Sequence, residues 1–175
     1  MKIAITGHTA GIGQALAEAF ISEGHDIVGL SRRDGNNIRN TPKICDAIEP
    51  CDMFVNNAQA GFAQTELLFE MCRRWSGTNR PIWVIGSQIT LAPVSTIPCM
   101  DEYWVQKQAL ELACTQLRYQ GHNVIVVKPG VVATQPGNTG ADPKTWARVL
   151  VGLHRMAQAN GLFIPEISLG PPYDA

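Results

Sequence analysis

No apolar run in this chain approaches the ~20 residues that a bilayer-spanning helix needs, and no long tract carries charge of one sign. The 14 lysines and arginines nearly balance the 15 aspartates and glutamates, for a formal net charge of −1. Apart from Arg32-Arg33 and Arg73-Arg74 there is no basic cluster, which argues against a nucleic-acid binder. The five cysteines (Cys45, Cys51, Cys72, Cys99, Cys114) form no C-x-x-C pair and stand near no histidine pair. A zinc site and a disulfide framework are therefore both disfavoured, no metal is expected, and the cysteines read as small buried hydrophobes. Cys99 alone stands out, four residues before a tyrosine considered below. Internal repeats, low-complexity tracts and linkers are missing too, so residues 1–175 are expected to form one domain. Residues 1–6 read as a strand rather than a signal peptide, and a cytoplasmic location is the expectation.

What is present begins at residue 2. A short apolar strand, Lys2-Ile3-Ala4-Ile5, runs into Thr6-Gly7-His8-Thr9-Ala10-Gly11-Ile12-Gly13, and a helical stretch follows from Gln14 to Phe20. Strand, glycine turn and helix bring a helix N-terminus to a point where backbone N–H groups and the helix dipole favour an anion. Gly7 makes the tight turn, while Gly11 and Gly13 leave room for a phosphate and for helix–strand packing. A second strand, Asp26–Leu30, comes after the helix. Position within this first βα unit favours dinucleotide binding over an ordinary turn. His8, Thr9 and Ile12 lie inside the same run.

Strand-like and helix-like segments then alternate to the end. Strands read at 2–6, 26–31, 52–56, 81–87, 123–128 and 162–167, and helices at 11–23, 41–49, 62–76, 101–120 and 142–159. Alternation of this kind means βαβ units and a mainly parallel sheet. Asp142 reads as the N-cap of the last helix, with Pro143 in its first turn and Gly161 closing it. Loops 88–99 and 129–141 both follow strands, at the carboxyl edge where open α/β sheets bind ligands.

Tyr103 and Lys107 are four residues apart on one helix, hence on one face. A nearby ammonium stabilises phenolate, so the tyrosine pKa is expected to fall from about 10 towards neutrality. Such a phenol can protonate a carbonyl oxygen, or take the proton back in the reverse direction. By itself the spacing fits equally a packed tyrosine beside a snorkelling lysine. Ser87 changes the weighing, because it ends the strand Trp83-Val84-Ile85-Gly86-Ser87 and its hydroxyl faces the same crevice.

With these pieces together, the chain resembles the short-chain dehydrogenase/reductase family. Thr6-Gly7-x-x-x-Gly11-Ile12-Gly13, Asn56-Asn57-Ala58-Gln59, Ser87, Tyr103-x-x-x-Lys107 and Pro129-Gly130-x-x-x-Thr134 occur in the family's order. The resemblance implies a Rossmann-like, doubly wound, mainly parallel sheet of about six to seven strands with helices on both faces. It implies hydride transfer between a nicotinamide and a carbonyl or secondary alcohol. Tyr103 would be the acid/base, Ser87 would orient the substrate oxygen, and Lys107 would bind the nicotinamide ribose. Asn57, Ala58 and Gln59 would line the adenosine side, with Pro129, Gly130, Val132 and Thr134 around the nicotinamide.

The chain also departs from the family. Its usual Asn-Asn-Ala-Gly ends here in Gln59, and helix 62–76 lacks the asparagine that completes a proton relay. That role passes to Gln59, Gln64 or water, or stays unfilled. The stretch from Arg33 to Cys51 is compressed, leaving little room for a full third strand and helix, and Asn37-Ile38 stands where relatives carry an acidic-plus-aliphatic pair beside the adenine. Leu30-Ser31-Arg32-Arg33 ends the second strand without the acid that usually meets a ribose 2′-OH. A hydroxyl and two guanidiniums suit a 2′-phosphate, so NADP(H) is favoured over NAD(H), although Asp34 could neutralise one arginine. Two other readings stay open: a dinucleotide-binding sensor without turnover, and an isomerase or dehydratase on the same fold. Apolar residues on more than one face of helices 62–76 and 101–120 suggest a homodimer or homotetramer. The short loop before Asp142 suggests an open, lidless site, unless a partner subunit or the tail from Gly170 to Tyr173 covers it.

Overall fold

The computed structural model describes residues 1–92, 100–135 and 137–171. Its elements in chain order are β1 (Lys2–Thr6), α1 (Gly11–Ser22), β2 (Asp26–Leu30), α2 (Thr41–Ile48), β3 (Met53–Asn56), α3 (Ala63–Arg74), β4 (Ile82–Ile85), α4 (Asp101–Tyr119), β5 (Val124–Pro129), α5 (Pro143–Ala159) and β6 (Glu166–Leu169). Short 3₁₀ turns occupy Arg32–Asp34 and Gln88–Leu91. The six strands form one sheet in the order β2-β1-β3-β4-β5-β6, every pair parallel.

The strands are short continuous apolar runs because the sheet is covered on both faces. Their side chains still alternate. Ile3, Ile5, Met53, Val55, Trp83, Ile85, Ile125 and Val127 pack under α1 and α5, whereas Ala4, Phe54, Ile82, Val84, Val124 and Val126 pack under α2, α3 and α4. The winding reverses between β1 and β3, since β2 lies on one side of β1 and all later strands lie on the other. A crevice opens at such a reversal, outside the carboxyl ends of the strands.

One difference from the sequence-based expectation has a physical cause. The last strand is Glu166–Leu169, not 162–167. Pro165 accepts from Val126 N through its carbonyl, and pairing with β5 begins only at Glu166, so the apolar Leu162 and Phe163 sit exposed in the preceding loop. Between β2 and β3 the chain forms only the Arg32–Asp34 turn and α2, which leaves β2 at the sheet edge. At α5 the expected cap is present: Asp142 accepts from Thr145 N at 2.7 Å, Pro143 opens the helix, and Gly161 follows it at φ 66°.

Candidate active site

The turn after β1 is held by its neighbours. Thr6 Oγ1 accepts from Asn57 N and Ala58 N, both at 3.0 Å, and Asn57 Nδ2 donates to Thr6 O at 2.9 Å. Gly7 has φ 73°, and a Cβ on Gly13 would run into Gly7 O, so both positions need glycine. Thr134, from the loop after β5, packs against Gly11. The first turn of α1 contains no acidic residue, and its N-cap, Ala10, supplies no side-chain acceptor. Its first N–H groups therefore carry no side-chain cap, an arrangement that favours an anion.

Beside this turn runs a groove lined by Gly7, Thr9, Ser31, Arg32, Arg33, Asn37, Ile38, Asn57, Ala58 and Gln59, all singled out by sequence. Ala10, Leu30, Asn36 and Ala60 also line it and carried no sequence signal beyond their neighbours. Asp34 neutralises neither arginine. Its carboxylate accepts from Ser31 Oγ at 2.6 Å and lies 4.0 Å from His8 Nε2, while Arg32 and Arg33 form no ion pair among the described residues. The His8 ring packs onto Gly29 of β2, so its side chain is held by the strand and by Asp34. A glycine cradle, an uncapped helix end and two unpaired guanidiniums together fit a dinucleotide phosphate group.

The second half of the crevice is built by α3, β4 and α4. Ser87 follows β4 and accepts from Ile89 N at 3.2 Å, which fixes the 3₁₀ turn behind it. Three α4 side chains at helical spacing clamp that turn: Trp104 Nε1 donates to Ala92 O, Gln108 Nε2 donates to Thr90 O, and Glu111 accepts from Thr90 Oγ1. A smaller pocket is lined by Ser87, Pro129 and Gly130, with Gln88, Ile89 and Val131 added by the structure. Val132, the next residue along, is bridged to Ala141. Residues 131–141 form no helix among those described. Cys99 and Tyr173 lie outside the described residues.

Lys107 is 3% exposed. Its Nζ donates to Gln64 Oε1 at 2.9 Å and to Ile85 O at 2.8 Å, and lies 5.5 Å from the centre of the Tyr103 ring. Burial depresses its pKa to about 8. Gln64, itself 2% exposed, is fixed by donating to Asn56 O and Ile85 O, while Asn56 Nδ2 donates back to Gln64 O. Of the candidates left open for the missing asparagine, Gln64 is the one that reaches the lysine. Gln59 instead donates to Gln106 Oε1, and Gln106 donates to Glu102.

The Tyr103 pKa moves opposite to expectation. Burial raises it, a hydrogen bond with Ser87 pulls it down, and the Glu111 carboxylate raises it further. The ammonium that was to lower it is turned towards Gln64 and Ile85. What the site does provide is a half-buried phenol close to a serine hydroxyl, above a buried cation.

No curated protein matches the sequence. A family model described as the NAD dependent epimerase/dehydratase family matches residues 3–67, the segment that carries the glycine turn and most of the groove. Among solved structures, the chain is similar to an alcohol dehydrogenase from the archaeon Thermococcus sibiricus complexed with 5-hydroxy-NADP (16% identity, 99% of this chain and 97% of that one, TM-score 0.75). It is similar to a short-chain dehydrogenase from Burkholderia cenocepacia in complex with NADP (18% identity, 97% and 88%, TM-score 0.70). A third is the 3-alpha-hydroxysteroid dehydrogenase from Pseudomonas sp. B-0831 complexed with NADH (19% identity, 96% and 95%, TM-score 0.64). These likenesses show the fold: the chain has the fold of the short-chain dehydrogenases and reductases, and it resembles that family.

Proposed function

We propose that this chain is an NADP(H)-dependent oxidoreductase acting on a carbonyl or secondary alcohol, with Tyr103 as its acid/base. The observation that carries this reading is the convergence of Ser87, Tyr103 and Lys107 at the carboxyl edge, next to the groove that ends at Arg32 and Arg33. A bound nicotinamide dinucleotide would supply or accept the hydride. The Ser87 hydroxyl holds the reacting oxygen, and Tyr103 delivers a proton to it in reduction or removes one in oxidation. With its pKa raised, the phenol is protonated at neutral pH, which suits the acid role in reduction. Lys107 keeps a positive charge beneath the ring, held in place by Gln64 and the Ile85 carbonyl.

Gly7, Thr9, Gly11, Ile12 and Gly13 would bind the pyrophosphate through their backbone. Asn37, Ile38, Asn57, Ala58 and Gln59 would flank the adenosine, and Pro129, Gly130, Val132 and Thr134 would flank the nicotinamide. Ser31 has given its hydroxyl to Asp34, so recognition of a 2′-phosphate falls to Arg32 and Arg33. Among the described residues no helix is long and apolar enough to cross a membrane, and a small-molecule substrate in the cytoplasm is the partner this reading implies.

The test is consumption of NADPH, followed by absorbance, across a library of carbonyl compounds. Turnover supports the reading. Binding without turnover favours the sensor, and product formation without net NADPH loss favours the isomerase or dehydratase.

A further inference from the structure

We infer, resting on the oxidoreductase reading above, that the substrate of this site is uncharged around its reacting carbonyl: a neutral aldehyde or ketone, or the matching alcohol, rather than a keto acid, a phosphorylated sugar or an aminoketone. The pocket beside the reacting groups is lined by Ser87, Gln88, Ile89, Pro129, Gly130 and Val131, none of them ionisable. The sequence extends the point on both sides. From Gly86 to Met100, and again from Pro129 to Ala141, there is no Asp, Glu, Lys, Arg or His. The described parts of these stretches leave the carboxyl ends of β4 and β5.

The cations nearest this pocket are committed elsewhere. Lys107 is held by Gln64 and Ile85 O beneath the tyrosine. Lys128, at the end of β5, is 8% exposed and paired with two carboxylates, Glu111 at 3.0 Å and Glu166 at 2.9 Å. That cluster carries one more negative than positive charge. The positive end of the α4 dipole is already matched by Asp101 and Glu102 in its first turn. An anionic substrate would find no counter-charge among the described lining residues. A cationic one would meet no carboxylate among the described lining residues, since the nearby Glu111 and Glu166 are engaged with Lys128. An unpaired charge there is costly in proportion to the water it sheds on binding. The polar amide of Gln88 is occupied as well, with Nε2 donating to Ser168 Oγ at 3.0 Å and Oε1 packed against Gly130. Ser87 and Tyr103 are left to recognise one neutral oxygen.

The experiment compares matched compounds on the NADPH-loaded protein: methyl levulinate against levulinate, and acetophenone against its para-carboxylate and para-aminomethyl derivatives. Each compound is measured twice, by kcat/KM and by direct binding in saturation-transfer NMR. The neutral members should exceed their charged partners by roughly 100-fold in kcat/KM, from a desolvation cost of several kcal/mol, and should bind more tightly. A charged member that equals or outperforms its neutral partner in either readout overturns the inference, as does a lack of saturable binding by every neutral member. Preferential binding of neutral members with no turnover on any compound would sink the oxidoreductase reading and leave this inference standing. Val131→Arg places a cation in the lining at a position 62% exposed. It should raise the kcat/KM ratio of levulinate to methyl levulinate by at least about tenfold. An unchanged ratio in a folded Val131→Arg protein would show that missing charge is not what excludes the anion.

Discussion

Gln64 Oε1 accepts a hydrogen bond from Lys107 Nζ at 2.9 Å, between two side chains that are 2% and 3% exposed. The contact joins the first turn of α3 to the middle of α4 across the carboxyl end of β4. A buried ammonium needs acceptors, and this one has two, the other being Ile85 O. Substituting Gln64→Met keeps the volume but removes one acceptor, and leaves Asn56 O without its side-chain donor. The expected cost is about 1–3 kcal/mol in stability. Lys107 should also lose its proton more readily, so the basic limb of the pH–rate profile should move to lower pH. A destabilised protein with an unmoved limb would make Gln64 a packing residue only.

Lys107 itself predicts a pH signature in folding. Its folded pKa of about 8 lies below the ordinary lysine value of 10.5, so between those values the unfolded chain binds more protons than the folded one. The burial penalty is complete below pH about 8 and is relieved as pH rises towards about 10.5. Wild type should therefore gain stability relative to Lys107→Met across that window, by about 3 kcal/mol in total. Urea denaturation of both proteins at several pH values measures it. Parallel curves would mean that the lysine is not held as a desolvated cation.

Much of the fold and part of the site were legible, and the reasons differ by residue. Parallel strands buried on both faces leave apolar runs such as Val124–Val127, which mark themselves, and Asp142-Pro143 marks the start of α5. The apolar run Leu162–Ile164 was misleading, because a strand also needs a partner register, and pairing with β5 starts at Glu166. Gln64 was only one of several candidates. Its signal lay in periodicity: 64, 67, 68 and 71 form one helical stripe with Leu67, Leu68 and Met71, all buried. A glutamine in a core stripe implies a buried polar partner. The contacts of Asp34 could not be read at all, since a one-turn 3₁₀ segment decides whether its carboxylate meets an arginine or Ser31.

Tyr103→Phe should abolish turnover while sparing the cofactor. The ring keeps its packing above Lys107 and loses the hydroxyl that carries the proton, a loss worth roughly 10²–10⁴-fold in kcat. NADPH affinity, read by fluorescence, should change little, because Tyr103 is absent from the groove lining. Full activity in the folded variant would remove Tyr103 from its role.

Arg32 and Arg33 line the groove without ion pairs among the described residues, and Asp34 is turned onto Ser31. Replacing both by alanine should weaken NADPH binding by roughly 10- to 100-fold, the scale of a charged hydrogen bond, and leave NADH binding nearly unchanged. Calorimetry with both cofactors measures this directly. Native protein that binds NADH as tightly as NADPH would refute the 2′-phosphate assignment.

The oligomer expectation narrows once burial is known. One sheet face does bury Leu67, Leu68, Met71, Trp75, Leu110, Ala113 and Leu117 within the chain, so these residues give no reason for a second subunit. What remains exposed is Val105 at 48%, Leu112 at 64% and Tyr119 at 88% on α4, with Phe69 on α3 and Phe62 just before it, both at 47%. Val105 and Leu112 are seven residues apart, two turns along one side of α4, the spacing of a helix-packing seam. If the protein pairs through α4, Leu112→Glu should bury a charge in the seam and yield a monomer in light scattering at micromolar concentration. Stability of that monomer should change little, because Leu112 makes no core contact in the chain. Wild type that is already monomeric under the same conditions would remove the seam from consideration.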